Sequence, residues 1–249
     1  MVGQSSMNRR SFVAAAAVGA IGASAGCLSD ILDDVTTFEA SPIRVSEAAA
    51  DEAGYEYQGT TERVEEREFA GESVEATNYI SEYTRTIDLP LDLDEPDAGV
   101  FALVSTPDVS VAGETFNPVG DMSEAELAEY VQGQYDELDL ERNVGGRAID
   151  SDDIEGLNTT VSLSTYEGTA TLQGEVDVDI RLDVAQPDHD DDHLVIMAVY
   201  PDVDDLPIED DETDRVDTLV AGIEHGEDVE VEIVDEDEAD DGNSDDEDE

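Results

Sequence analysis

Residues 170–184 read ATLQGEVDVDIRLDV, and this stretch decides the fold class of the 249-residue chain. Apolar residues occupy every second position except Gly174, and polar or charged residues occupy the positions between them. This period of two predicts a long strand with one buried face and one hydrated face. Residues 160–166 carry a similar pattern, so they are expected to pair with the long strand across a turn at Glu167-Gly168.

More strands are predicted on either side of this stretch. Residues 100–105 and 194–200 are apolar at consecutive positions, which predicts two central strands covered on both faces. Residues 55–69 and 73–87 predict a hairpin, and residues 229–233 predict a charged edge strand.

Three helices complete the expected elements. The first covers residues 46–53, and Ser123 followed by Glu126 forms a capping box that begins the second. The third is expected over residues 213–224, with His225 at its end in contact with the last carbonyl groups. The order of elements predicts an α+β fold, an antiparallel sheet of about six to seven strands with helices packed on it. This order resembles the Mog1/PsbP-type sandwich.

The charge of the chain excludes several functions. Its basic residues are 10 Arg with no Lys, against 68 Asp and Glu, for a formal net charge of −58. Such a chain cannot neutralise phosphates, so no nucleic-acid partner is expected. A hydrophobic content of 39% argues for a folded protein, and molar salt would screen its self-repulsion, because the Debye length is about 3 Å at about 1 M. The composition resembles that of haloarchaeal proteins.

Residues 1–26 predict a signal peptide. Arg9-Arg10-Ser11-Phe12 resembles the twin-arginine export motif, in which Arg9, Arg10 and Phe12 carry the signal. The apolar run over residues 12–25 is too short to span a bilayer, which needs about 20 residues.

The single cysteine, Cys27, directly follows this segment, and Ser24-Ala25-Gly26-Cys27 resembles a lipobox. The resemblance implies a covalent lipid on Cys27, and the alternative is a small residue at an ordinary signal cleavage site. No other cofactor is expected. Residues 27–37 would then be a tether, 38–234 a single domain, and 235–249, with 11 acids in 15 residues, a disordered tail.

Four segments together resemble a family of uncharacterised haloarchaeal lipoproteins exported by the twin-arginine route. They are Cys27 after its signal, Phe38-Glu39-Ala40-Ser41-Pro42, Ala53-Gly54-Tyr55, and Ala198-Val199-Tyr200-Pro201. The resemblance implies attachment to the outer face of the cell membrane. Since that family has no established activity, it assigns no catalytic residue.

Candidate binding residues are few. His189 and His193 flank three aspartates and could bind zinc, copper or nickel, although Pro187 and the following strand favour a hydrated hairpin turn with no metal. Asn158 begins an Asn-Thr-Thr glycosylation sequon, and its alternative is a turn before a strand.

The sequence therefore predicts a non-enzymatic, salt-adapted, lipid-anchored module that binds an envelope protein or the surface layer. The alternatives are a lipoprotein that binds a solute or a divalent metal, and a hydrolase without a recognisable motif. A buried cluster of histidine, carboxylate and hydroxyl would favour the hydrolase.

Overall fold

The computed structural model describes residues 35–69, 72–86, 97–111, 114–116, 122–134, 138–154, 156–172, 176–202 and 212–235. The predicted export residues Arg9, Arg10 and Phe12, the predicted lipid site Cys27, and the predicted tail beyond Asp235 lie outside these ranges.

Strands dominate the described residues, which contain thirteen strands and three α-helices. The helices are α1 (Glu47–Ala53), α2 (Glu124–Gln134) and α3 (Glu212–Ala221). The strands are β1 (Val35–Glu39), β2 (Ile43–Val45), β3 (Glu56–Phe69), β4 (Glu72–Thr86), β5 (Asp97–Pro107), β6 (Val109–Val111), β7 (Glu114–Phe116), β8 (Leu138–Ile149), β9 (Val161–Leu172), β10 (Val176–Ala185), β11 (Asp188–His189), β12 (Asp192–Pro201) and β13 (Ile223–His225). A 3₁₀ turn covers Ser151–Asp153.

Nine of these strands form one mixed sheet. Seven lie in the order β1, β4, β5, β12, β10, β9, β8, while β3 pairs with β4 and β11 pairs with β12. Every pair is antiparallel except β1 with β4, which is parallel from Val35 opposite Ser73 to Glu39 opposite Thr77. Two small sheets, β2 with β13 and β6 with β7, complete the strands.

The predicted α+β class with a purely antiparallel sheet of six to seven strands is wrong. The described residues are mostly β, the sheet is mixed, and the helices are short. One reason is β1, which begins at Val35 and reaches β4 only after more than 30 residues, a separation that permits parallel pairing. A second reason is β8. Its side chains are mostly exposed, so its sequence shows no regular alternation of apolar residues.

The two predicted central strands, β5 and β12, are confirmed. They pair with each other, and side chains on both faces of β12 are buried. On one face Leu194, Ile196 and Tyr200 pack in a cluster with residues of α1 and α3, such as Val216. On the other face Val195, Met197 and Val199 pack in a cluster with residues of α2. Helices therefore cover the sheet on both faces.

The predicted turn at Glu167-Gly168 is wrong. Strand β9 runs through it to Leu172, and β10 pairs back from Val176, so residues 170–184 are two strands and not one. Gly168 is needed for a different reason, because a Cβ there would collide with the backbone oxygen of Asp139 on β8. The apolar alternation continued through this connection, which concealed the end of the first strand.

The helix predictions are confirmed at their starts. The Ser46 hydroxyl accepts a hydrogen bond from the Ala49 amide, and Gly54 ends α1 in the left-handed conformation with φ of 74°. The Ser123 amide donates to Glu126 Oε2 at 2.9 Å, which closes the predicted capping box of α2.

Helix α3 ends at Ala221, earlier than predicted, and His225 belongs to strand β13 and not to a helix end. Strand β13 pairs with β2, which is fixed against the main sheet by Tyr83 and Ser81 of β4. Tyr83 Oη accepts from the Val45 amide at 2.7 Å, and the Ser81 hydroxyl donates to the Ile43 carbonyl at 2.5 Å. The predicted edge strand over 229–233 is reduced to one parallel bridge, Ile233 with Thr60.

Candidate functional site

The predicted histidine motif forms a tight hairpin. His189 at the end of β11 pairs with Asp192 at the start of β12, and Asp190 and Asp191 form the turn between them. Asp190 has a φ of 54°, in the left-handed region that aspartate tolerates better than most residues. The alternation of side chains along β11 and β12 therefore sends neighbouring residues to opposite faces.

This alternation separates the two histidines that the sequence paired. His193 lies opposite Asp188, and its Nδ1 contacts the Asp188 carboxylate at the surface. His189 instead contacts His225 of β13, with 2.7 Å between the two Nδ1 atoms and 5.0 Å between the ring centres. The structure thus brings His189 together with His225, and it does not bring His189 together with His193.

Two carboxylates border the His189–His225 pair. Asp190 Oδ2 lies 3.7 Å from His189 Nδ1, and Asp190, His189 and His225 each offer a ligand atom within 4.8 Å of the others. Asp192 Oδ2 lies 3.1 Å from His225 Nε2. The side chain of His225 is fully buried and that of His189 is 12% exposed, whereas that of Asp190 is 75% exposed. The cluster therefore has a buried end and an end open to solvent.

The hydrogen bonds of Asp192 determine the tautomer of His225. Asp192 Oδ2 also accepts from the Ser41 amide at 2.7 Å, so this carboxylate acts as an acceptor. His225 Nε2 must then carry the proton that it donates to Asp192. In the neutral imidazole this leaves a lone pair on Nδ1, and that lone pair faces His189.

The buried group of Ser105, His225 and Asp192 is not a catalytic triad. Ser105 Oγ and Asp192 Oδ2 are both 3.1 Å from the same ring nitrogen, Nε2 of His225. In a triad the hydroxyl and the carboxylate bond opposite ring nitrogens, so that the imidazole can accept from one and donate to the other. Ser105 is also fully buried, so its hydroxyl cannot meet a substrate.

A second buried polar cluster surrounds Asp183 of β10. This fully buried carboxylate accepts from Thr165 Oγ1 at 2.6 Å and Tyr200 Oη at 2.8 Å, and it pairs with Arg147 Nη1 at 2.8 Å. Burial raises the pKa of Tyr200, and the adjacent negative charge of Asp183 raises it further. Because the carboxylate is bonded on both oxygens, this cluster has a structural role.

Comparison with protein families gives one match. Residues 42–224 match DUF6517, a domain of unknown function. The chain belongs to this family. No curated protein and no solved structure matches it. The comparisons show no similarity to haloarchaeal lipoproteins or to Mog1/PsbP-type domains. The DUF6517 match runs from the residue before β2 into β13 and includes His189, Asp190 and Asp192, while His225 follows its last residue directly.

The other predicted positions are dispersed. Asn158 is exposed in the segment before β9, where the chain bends. In the described part of the chain, no helix is long and apolar enough to cross a membrane.

An open groove of about 710 Å³ lies between α2 and β8, and its described lining includes Gln132, Arg142 and Tyr166.

Sequence reasoning missed His225 as a member of the site. His225 lies 36 residues after His189 and 33 residues after Asp192 along the chain, so no local spacing indicates these contacts. A signal was nevertheless present, because the chain has only three histidines. Ile223 and His225 are also buried on either side of the half-buried Glu224, so His225 faces the same side as Ile223.

Proposed function

We propose that this DUF6517 protein is a non-enzymatic binding module, exported through the twin-arginine route and anchored by a lipid on Cys27 to the outer face of the membrane. The observation that carries the proposal is the position of Cys27. The only cysteine of the chain directly follows the apolar run and small residues of a signal sequence.

The start of the fold is compatible with a short anchor. Strand β1 begins at Val35, so seven residues separate it from Cys27. The eight Cα–Cα steps from Cys27 to Val35 span at most about 29 Å even when fully extended. A lipid on Cys27 would therefore keep the domain close to the membrane surface, where an envelope protein or the surface layer would be its binding partner.

The ion pairs support adaptation to high salt. Seven of the ten arginines form ion pairs with carboxylates in the described residues, including Arg44 with Glu224, Arg142 with Glu167 and Arg181 with Asp202. These cations leave most of the 68 acidic residues without a positive partner. The remaining repulsion must then be screened by dissolved ions.

The geometry around His225 supports the proposal of a non-enzymatic role. The described residues contain a buried histidine, carboxylate and hydroxyl, which would favour a hydrolase if they could act in sequence. Because Ser105 and Asp192 contact the same ring nitrogen of His225, the three side chains cannot act in sequence as a catalytic triad does. A binding role requires no such relay and agrees with the exposed end of the His189–His225 cluster.

The test is fractionation of cells that express the chain with Cys27→Ser. The variant should appear in the medium or remain as an uncut precursor, because it lacks the thiol that a lipid would modify. The matched control is Ser24→Ala, which alters the same segment but keeps the thiol, and it should stay with the membrane. Unchanged membrane retention of Cys27→Ser would contradict lipid anchoring.

A further inference from the structure

We propose that His189, His225 and Asp190 form a binding site for one divalent transition-metal ion, such as Zn²⁺. The three residues supply two imidazole nitrogens and one carboxylate oxygen, all within 4.8 Å of one another. Three protein ligands with a fourth position open to solvent are a common arrangement for zinc. This site is independent of the lipid anchor and can be tested without it.

The contact between the two rings is suited to exchanging a proton for a metal ion. At 2.7 Å, the two Nδ1 atoms share one hydrogen, which His189 donates because His225 already carries its proton on Nε2. A tetrahedral zinc ion with bonds of about 2.0 Å holds two nitrogens about 3.3 Å apart. The rings must therefore separate by about 0.6 Å, and the hydrogen between them must leave.

The buried ligand is already oriented for metal binding. Asp192 accepts from His225 Nε2 and is itself held by the Ser41 amide, while Ser105 Oγ lies 3.1 Å from the same nitrogen. A carboxylate behind the far nitrogen of a ligating histidine is the usual outer-sphere partner, because it fixes the tautomer and makes the ligating nitrogen more basic. The buried Asp192 is thus a positioning residue and not a ligand.

The open ligand is placed by the hairpin turn. Asp190 keeps a left-handed backbone conformation that aspartate tolerates better than most residues, and its carboxylate is the exposed one beside His189. Asp188, Asp190, Asp191 and Asp192 also give the hairpin a strong negative charge, which attracts cations.

Nitrogen ligands distinguish this site from the rest of the acidic surface. Exposed carboxylates offer only oxygen, which suits Mg²⁺ and Ca²⁺. Imidazole suits Zn²⁺, Cu²⁺ and Ni²⁺ better. A site with two imidazoles should therefore retain Zn²⁺ when excess Mg²⁺ occupies the surface carboxylates.

The experiment is a titration of the purified full chain with Zn²⁺ in molar KCl and excess Mg²⁺, followed by calorimetry and by the ring ¹⁵N signals of the three histidines. We expect one saturable site, with the Nδ1 signals of His189 and His225 shifted and those of His193 unchanged. Two pairs of matched variants assign the ligands: His189→Gln against His193→Gln, and Asp190→Asn against Asp191→Asn.

His189→Gln should weaken binding by more than the 10–100-fold that loss of an outer-sphere partner typically costs, and Asp190→Asn by about tenfold or more. The two controls should bind as the unchanged chain does, since His193 faces the other side of the hairpin. Equal losses in His189→Gln and His193→Gln would overturn the proposal. So would unchanged affinity in His189→Gln, or only weak Zn²⁺ binding that Mg²⁺ displaces.

Discussion

Removal of the buried Asp183 carboxylate should destabilise the fold severely. Asp183→Ala leaves the hydroxyls of Thr165 and Tyr200 without their acceptor and leaves Arg147 with Asp217 as its remaining carboxylate. Each orphaned buried polar group costs about 1–3 kcal/mol, and breaking a buried ion pair costs about 3–5 kcal/mol. These costs overlap, so we expect a loss of about 3–5 kcal/mol in the free energy of unfolding.

The assay is urea unfolding in molar KCl, followed by circular dichroism, because urea does not alter ionic screening. Asp177→Ala is the matched control, since Asp177 lies on the same face of β10 and likewise accepts from a threonine of β9, Thr171, but is exposed. It should change stability by no more than about 0.5 kcal/mol. Both variants remove one negative charge, which cancels the effect on net repulsion. If Asp183→Ala cost no more than the control, the buried network would not contribute as argued.

Three further predictions concern salt and the start of α2. Dilution below about 0.5 M salt should lower the urea midpoint of unfolding, because carboxylate repulsion is then less screened, and a neutral osmolyte should not restore the midpoint. Equal midpoints in low and high salt would contradict this prediction. Ser123→Ala should destabilise the protein by about 1 kcal/mol and speed amide exchange in the first turn of α2, because it removes the N-cap; unchanged exchange would refute the cap. Hydrogen bonds from the Ser123 amide and hydroxyl lower the pKa of Glu126 below its ordinary 4.5. The stability that these bonds add is therefore complete above pH 4.5 and is lost as the pH falls through the lowered pKa. A carboxyl ¹³C titration should show the pKa of Glu126 returning toward 4.5 in Ser123→Ala.

Local signals predicted the elements well where one pattern specifies one structure. The capping box at Ser123, the left-handed glycine at Gly54 and the two-faced apolar runs of β5 and β12 each depend on residues close in sequence. Strand β8 could not be found in this way, because it is an edge strand with mostly exposed side chains. Its presence in the sheet depends on pairing with β9 and not on any period of its own.

The sheet and the candidate site depend on contacts between distant residues. The parallel pairing of β1 with β4 joins segments almost 40 residues apart. The pattern that predicted the hairpin of β3 and β4 does not predict this pairing. The metal site at His189 and His193 stays a prediction, whereas the alternative of a hairpin turn agrees with the backbone of β11 and β12. Its true partner, His225, comes from β13, which sequence reasoning took for the end of a helix.

The path of the chain connects the proposed anchor to the histidine cluster. Strand β1 enters beside Ser73, next to the β3–β4 turn, and continues to Ala40, whose amide donates to the Thr77 carbonyl at 3.0 Å. The next amide, that of Ser41, holds the Asp192 carboxylate that orients His225. The fourteen Cα–Cα steps from Cys27 to Ser41 limit the distance between Cys27 and this amide to at most about 50 Å. With a lipid on Cys27, as proposed, this length would also limit how far a metal ion at the hairpin could lie from the membrane surface. Cys27→Ser removes the thiol without altering the Ser41–Asp192 contact, so loss of anchoring with intact Zn²⁺ binding would separate the two proposals.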